Sequence, residues 1–366
     1  MPKRIILTGG HAATTAVATI EEILRRKENW ELYWVGAKNA LEGKEIPTID
    51  LEIFPKMGVS LHPISAGRLQ RKFSIWTIPS ILKIPLGFIQ AFVVLSKIKP
   101  NLILSFGGFV SFPVVFWGRI FGIPVILHEQ TAVVGRSNKF SAFLATKIAL
   151  AREQSINFFP KNKCVITGNP VMTQIAEIKP RKQIGDPPVI FVMGGSRGSL
   201  VVNELIEGIL PKLLNIYSVI HLTGHLGYEN ALLFKRKLSK DFQARYEVYP
   251  RIDPLQIDGV YKRADIVIAR AGANTVSEIM VVKIPSILIP IPWTYKDEQT
   301  SNAKLAVEFG VAKILPQGMA TPSKLFELLQ ETRKNWKEII EKVKDKKEPD
   351  VYASAKLVDL MEECAK

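Results

Sequence analysis

Cysteine is nearly absent from this chain: Cys164 and Cys364 are the two in 366 residues, and no Cys-x-x-Cys occurs. That excludes a disulfide framework or a thiolate zinc site and fits a reducing compartment. GxGxxG and GxxxxGK[ST] are both missing, so a dinucleotide fingerprint and a P-loop lose their support. No Asp-x-Asp occurs either. A metal that bridges a diphosphate is usually held by such carboxylates, so a metal-dependent mechanism is disfavoured. The N-terminus runs from Met1-Pro2-Lys3-Arg4 straight into an apolar strand. It lacks the features of a secretion signal, so a cytoplasmic location is expected. Acidic residues are short, 34 against 49 basic ones, giving a net charge of +15. Such a balance favours an anionic partner: nucleic acid, an acidic membrane surface or a phosphorylated substrate. Nucleic acid ranks last, because the aromatics are not interleaved with basic residues in a compact module.

What is present reads as α/β. Ile5–Leu7 runs into Thr8-Gly9-Gly10-His11 and a helix through Thr15–Arg26, with a second strand at Leu32–Val35. Leu102–Leu104 ends in Ser105-Phe106-Gly107-Gly108, and Pro124–Leu127 ends in His128-Glu129-Gln130. The style restarts at Val189–Met193, which enters Gly194-Gly195-Ser196-Arg197-Gly198; strands at Val219–Leu222, Ala264–Ala269 and Ser286–Ile289 follow. Apolar runs closed by turns and separated by helical patterns predict two doubly wound parallel-sheet domains. We place them at residues 1–167 and 168–345, with a helix over 346–366 returning to the first domain. Ligands of open α/β sheets sit outside the carboxyl ends of the strands, which predicts a cleft between the domains.

Two stretches raise the question of a membrane. Phe73–Leu95 is interrupted by Pro79, Pro85 and Gly87, and Leu102–Leu127 by Gly107, Gly108, Gly118, Arg119 and Gly122. A spanning helix needs ~20 mostly apolar residues. The punctuation argues against one; a helix lying on a membrane surface, or a buried helix with one apolar face, fits the first stretch better.

Each glycine turn opens a helix whose N–H groups suit an anion, although a tight strand-to-helix turn uses glycine in any case. Arg270-Ala271-Gly272-Ala273-Asn274-Thr275-Val276-Ser277-Glu278 is richer. Residues 274–277 open a helix that could hold a diphosphate, while Glu278 either complements the helix dipole or accepts from the two hydroxyls of a ribose. Gln299, in Asp297–Ala303, could cap a helix or touch a sugar. Of five histidines only His11 and His128 sit on these turns. Imidazole suits general-base work near neutral pH, and a capping or packing role for His11 is the alternative.

Thr8–His11, Phe106–Val110, Pro124–Gln130, Gly168-Asn169-Pro170-Val171, Gly194–Gly198 and Arg270–Glu278 occur in that order. Together they resemble the MurG family of UDP-GlcNAc transferases, glycosyltransferase family 28, over Ile5 to about Ile314. The resemblance implies a GT-B fold, with the second domain holding UDP-GlcNAc. Ser196 would then meet the diphosphate, Ala273–Glu278 form the nucleotide helix with Glu278 on the ribose, Gln299 meet the sugar and Ile252 the uracil. Thr8, Gly9 and Gly10 would face the donor sugar and the acceptor diphosphate, with His11 near the attacking hydroxyl. The implied reaction is inverting transfer of GlcNAc to the muramyl 4-hydroxyl of undecaprenyl-linked lipid I, without metal or other cofactor. The region from Arg68 to Lys99 would dock a peripheral enzyme on the anionic inner leaflet.

The chain departs from the family at two positions that normally contact the donor: Thr131 replaces Asn, and Met172 replaces Arg. Losing an arginine beside a diphosphate removes a bond worth roughly 1.5–3 kcal/mol. The departures leave open another nucleotide sugar or lipid acceptor, or a UDP-sugar epimerase of the same fold.

Overall fold

The computed structural model describes residues 2–10, 13–41, 44–48, 50–65, 67, 77–195 and 198–365. The chain divides into two compact units, Met1–Met172 with Pro349–Lys366, and Thr173–Glu348.

The first unit opens with β1 (Lys3–Gly9), β2 (Trp30–Gly36), a hairpin of β3 (Asn39–Leu41) and β4 (Lys44–Pro47), and β5 (Ser60–Leu61). It continues with β6 (Leu102–Ser105), β7 (Val125–Glu129), β8 (Lys147–Leu150) and β9 (Cys164–Ile166). Seven of these make one parallel sheet in the order β5-β2-β1-β6-β7-β8-β9. Strands β6 and β7 are buried along their whole length. This is why Leu102–Leu104 and Val125–Leu127 read as unbroken apolar runs: helices cover both faces of a parallel sheet.

The apolar stretch after Phe73 forms the helix Thr77–Ile98, which continues through Pro85. Its C-terminal half is fastened by tertiary packing: Ala91, Leu95 and Ile98 belong to the core against β6 and β7. Trp117 Nε1 also donates to Phe88 O at 2.9 Å. No helix among the described residues is long and apolar enough to cross a membrane.

The chain returns to the first unit near residue 349. Buried Arg152 meets Asp350 through two bonds, 3.0 and 2.7 Å, and Asp350 also accepts from Asn169 N at 2.8 Å. Gly168 has φ +88°, and a Cβ there would lie 2.9 Å from both Ala353 Cβ and Asp350 Oδ1. These contacts put Gly168–Met172 in the first unit, five residues beyond the boundary that the sequence suggests. The closing helix Ala353–Cys364 packs on Ala13–Arg25, where Arg26 reaches Asp359 and Glu362, each at 2.7 Å.

The second unit contributes β10 (Val189–Met193), β11 (Ser218–Leu222), β12 (Tyr246–Tyr249), β13 (Ile266–Ala269), β14 (Ser286–Leu288) and β15 (Ala312–Ile314). They form a second parallel sheet, β12-β11-β10-β13-β14-β15. Its core joins the strands to the helices Leu200–Glu207 and Pro322–Lys334. In each sheet the strand order reverses at one place, between β1 and β6 and between β10 and β13. At such a switch point the outgoing loops diverge and leave a crevice beyond the strand ends.

Candidate active site

At the first switch point two glycine turns meet backbone to backbone. Gly10 N donates to Gly107 O at 3.0 Å. Gly108 has φ +96°, and a Cβ on it would lie 3.0 Å from Gly10 N, so the approach requires glycine. Hydroxyls fasten the second turn: Ser111 Oγ donates to Gly107 O and Ser137 Oγ to Gly108 O, both at 2.8 Å. Beneath them the buried Thr8 Oγ1 has no hydrogen-bond partner among the described residues.

Glu129 closes β7 and organises the next loop. Its buried carboxylate accepts from Thr131 N (3.1 Å), Thr131 Oγ1 (2.8 Å) and Asn138 Nδ2 (2.9 Å). Burial pushes this carboxyl upward, and the donated bonds oppose it. His128 is a strand residue rather than a loop residue, fully buried, with Nε2 3.1 Å from Gly168 O. Burial lowers its pKa to about 4, so the ring is neutral near pH 7. Facing a carbonyl, Nε2 must carry the proton.

The second switch point is wired by side chains. Arg270 leaves β13, and its Nε donates to Ser199 Oγ (3.0 Å) while Nη1 donates to Ile289 O (2.9 Å). One guanidinium thus links the turns after β10, β13 and β14. Gly198 has φ +77°, and its Cβ position is occupied by Thr223 O, so this turn also requires glycine. The helix Ala273–Val282 begins after Gly272, an N-cap residue that has no side chain to donate or accept. On it, Glu278 is 8% exposed and accepts from Tyr261 OH at 2.8 Å. Burial raises its pKa to about 7, with the Tyr261 bond opposing.

Of the residues singled out on the sequence, Thr8, Gly9 and Gly10 stand at the first switch point. Ala273, Asn274, Thr275, Val276, Ser277 and Glu278 stand at the second. Gln299 joins the loop after β14, its Oε1 accepting from Ile291 N at 3.0 Å. Ile252 is half-buried in the loop after β12. Thr131 turns its hydroxyl inward to Glu129, and Met172 is buried, 2% exposed, in the first unit. His11 and Ser196 lie outside the described residues, as do residues 68–76 of the apolar region. Tyr261, and the linking role of Arg270, were missed on the sequence. The Tyr261 and Glu278 pairing spans 17 residues and two helices, and no local period announces it.

His221 plays a packing role. Its ring lies between Tyr246 OH (2.9 Å) and Asn203 Oδ1 (3.0 Å), and burial lowers its pKa to about 3. The amide oxygen only accepts, so Nε2 is the protonated nitrogen and Nδ1 accepts from the tyrosine.

Two family models match the chain: the glycosyltransferase family 28 N-terminal domain over residues 7–150 and its C-terminal domain over 189–360. A Clostridium kluyveri protein is 33% identical over 98% of this chain and 99% of its own length. It is named UDP-N-acetylglucosamine–N-acetylmuramyl-(pentapeptide) pyrophosphoryl-undecaprenol N-acetylglucosamine transferase. The crystal structure of Acinetobacter baumannii MurG superposes with a TM-score of 0.68 at 25% identity, covering 99% of this chain and 100% of that one. A Neisseria meningitidis UDP-GlcNAc 2-epimerase reaches 0.64 at 13% identity, covering 98% and 100%; it shares the fold.

Proposed function

The chain belongs to glycosyltransferase family 28, and from that premise we propose that it transfers GlcNAc from UDP-GlcNAc to lipid I. The acceptor is the muramyl 4-hydroxyl, and the product is lipid II for peptidoglycan. The observation that carries this reading is the similarity of the whole chain, both units included, to proteins named for that reaction.

In this reading the second unit holds the donor. Glu278 accepts from the ribose hydroxyls, and the diphosphate rests on the start of Ala273–Val282 and on the turn containing Ser196. Gln299 binds the sugar, and Ile252 lies against the uracil. The first unit holds the acceptor diphosphate on its paired glycine turns, where Thr8 supplies a spare hydroxyl. His11 takes the proton from the 4-hydroxyl as its oxygen attacks the anomeric carbon from the face opposite UDP. The configuration inverts, and the leaving diphosphate is stabilised by oriented N–H groups without a metal.

A membrane surface fits one side of the first unit. The helices Thr77–Ile98, Ser111–Ile120 and Arg136–Leu144 pack in succession. They expose Ile89 (61%), Ile120 (60%), Phe140 (67%) and Phe143 (71%). No Asp or Glu stands between Glu52 and Glu129, while eight Lys and Arg do. Exposed apolar groups with one sign of charge suit peripheral docking on an anionic leaflet.

The test is transfer of labelled GlcNAc from UDP-GlcNAc to a short-chain lipid I analogue in EDTA. Product is expected. Absence of product with and without added divalent metal would overturn the assignment; product only with metal would overturn the metal-free mechanism.

A further inference from the structure

The second switch point contains a group that the proposed mechanism does not use. Tyr261, on the helix Ile257–Arg263, is 1% exposed, and its ring meets Phe191 of β10 edge-on, centroids 5.6 Å apart at 87°. Its hydroxyl lies 2.8 Å from Glu278 Oε2 and 3.8 Å from Met193 Sδ. The carboxylate is by far the stronger acceptor, so the single proton goes there. No hydrogen bond is made to Oε1 among the described residues.

We infer that Tyr261 is the positioning residue for Glu278: its hydroxyl fixes Oε2 from below and leaves Oε1 to receive the hydroxyls of the donor's ribose. This rests on the reading of Glu278 as the ribose acceptor. The phenol itself is buried and touches no substrate; it acts through the carboxylate. A buried carboxylate without this donor would be free to rotate, and a larger fraction would be protonated near neutral pH.

The bond has a pH signature because little else reaches the carboxylate. The helix Thr173–Ala176, packed against Ala273–Val282, has no titratable side chain. On Ile257–Arg263, Asp258 pairs with Lys262 and Arg263 with Glu247. Arg270 is engaged with Ser199 and Ile289. Glu298, Lys304 and Glu308 lie on the packed helix Glu298–Phe309. Burial raises the Glu278 carboxyl and the Tyr261 bond opposes it.

The experiment compares wild type, Y261F and E278Q, measuring donor KM and kcat from about pH 6 to 9 and inhibition by UDP and 2′-deoxy-UDP. Y261F keeps the ring and its contact with Phe191. It is expected to raise donor KM by at least ~5-fold near pH 6.5, with kcat within about twofold. The acid limb of kcat/KM should move upward in pH, because the charged carboxylate has lost its donor. Inhibition by UDP should weaken, and inhibition by 2′-deoxy-UDP should change little. A Y261F enzyme with wild-type KM and acid limb, beside an impaired E278Q, would overturn the positioning role and leave the ribose reading standing. An E278Q enzyme that still prefers UDP to 2′-deoxy-UDP would overturn the ribose reading itself. Should Y261F fail to fold, E278D reads the same bond by withdrawing the carboxylate one methylene; an unchanged UDP preference would overturn the proposal.

Discussion

The two switch points solve the same topological problem with different materials. In the first unit, glycine backbones touch, Gly10 N to Gly107 O, and side chains only fasten the turns from outside. In the second, Arg270 links three turns and Tyr261 holds a buried carboxylate. Bare backbone admits a bulky diphosphate and offers N–H donors without discriminating between ligands. Fixed side chains recognise particular hydroxyls, because a ligand lacking them leaves buried polar groups unpaired. Under the proposed function, the first unit would accommodate its ligand and the second would select.

The hardest blow to the contrast comes from removing one group on each side. His11→Ala and Glu278→Ala should each lose at least ~100-fold in kcat/KM, about 2.7 kcal/mol of transition-state binding. The first loss should fall on kcat and the second on donor KM. Near-wild-type steady-state kinetics in both would remove the residue assignments.

Glu278→Gln sharpens the contrast by separating stability from recognition. Burial pushes the folded Glu278 carboxyl up to about 7, against an ordinary value of about 4.5. The native state therefore holds an extra proton between those values, and wild-type stability falls as pH rises across that window. The amide does not titrate, so the variant should gain on the order of 3 kcal/mol over wild type at about pH 8 and little near pH 4. Denaturant unfolding at both pH values reads this; an equal gain at both would contradict the buried-acid account.

The glycine turns are expected to respond more modestly. Gly198→Ala meets Thr223 O with φ +77°, whereas Gly195→Ala, at φ +85°, has nothing within 4 Å. The first should cost about 2–3 kcal/mol and the second about 1 kcal/mol, the strain of the left-handed region alone. Equal melting temperatures would show that the turn after β10 is not packed on Thr223. The smallest effect is expected at the surface: the double variant Phe140→Ser, Phe143→Ser should lower binding to anionic vesicles by about threefold to tenfold. Turnover of a soluble acceptor should be unchanged, and undiminished vesicle binding would remove these rings from the docking surface.

Strands buried on both faces were legible because burial leaves an unbroken apolar run: β10 is the run Val189–Met193 itself. Short or mixed strands were not. β12, Tyr-Glu-Val-Tyr, and β15, Ala-Lys-Ile, hold their places through parallel neighbours rather than through any local pattern. The helix expected in the apolar stretch after Phe73 is present as Thr77–Ile98 and runs on through Pro85, where packing against the sheet offsets the intrahelical bond that a proline forfeits. Within the site, the glycine turns and Glu278 were visible from strand ends and spacing. The partner of Glu278 was not, because it lies on another helix.

By itself the sequence determined the alternation of strand and helix, the glycine turns, the surplus of positive charge and, through six ordered motifs, the family. Those are local properties or patterns along the chain. Only the tertiary structure decided that Gly10 rests on Gly107, that Asp350 holds the turn at Gly168, and that Tyr261 meets Glu278. Each of these joins different elements, two of them more than 90 residues apart. Their hydrogen bonds form only after the sheets have stacked their strands in a non-sequential order, so no window of sequence contains both partners and the strand order that joins them.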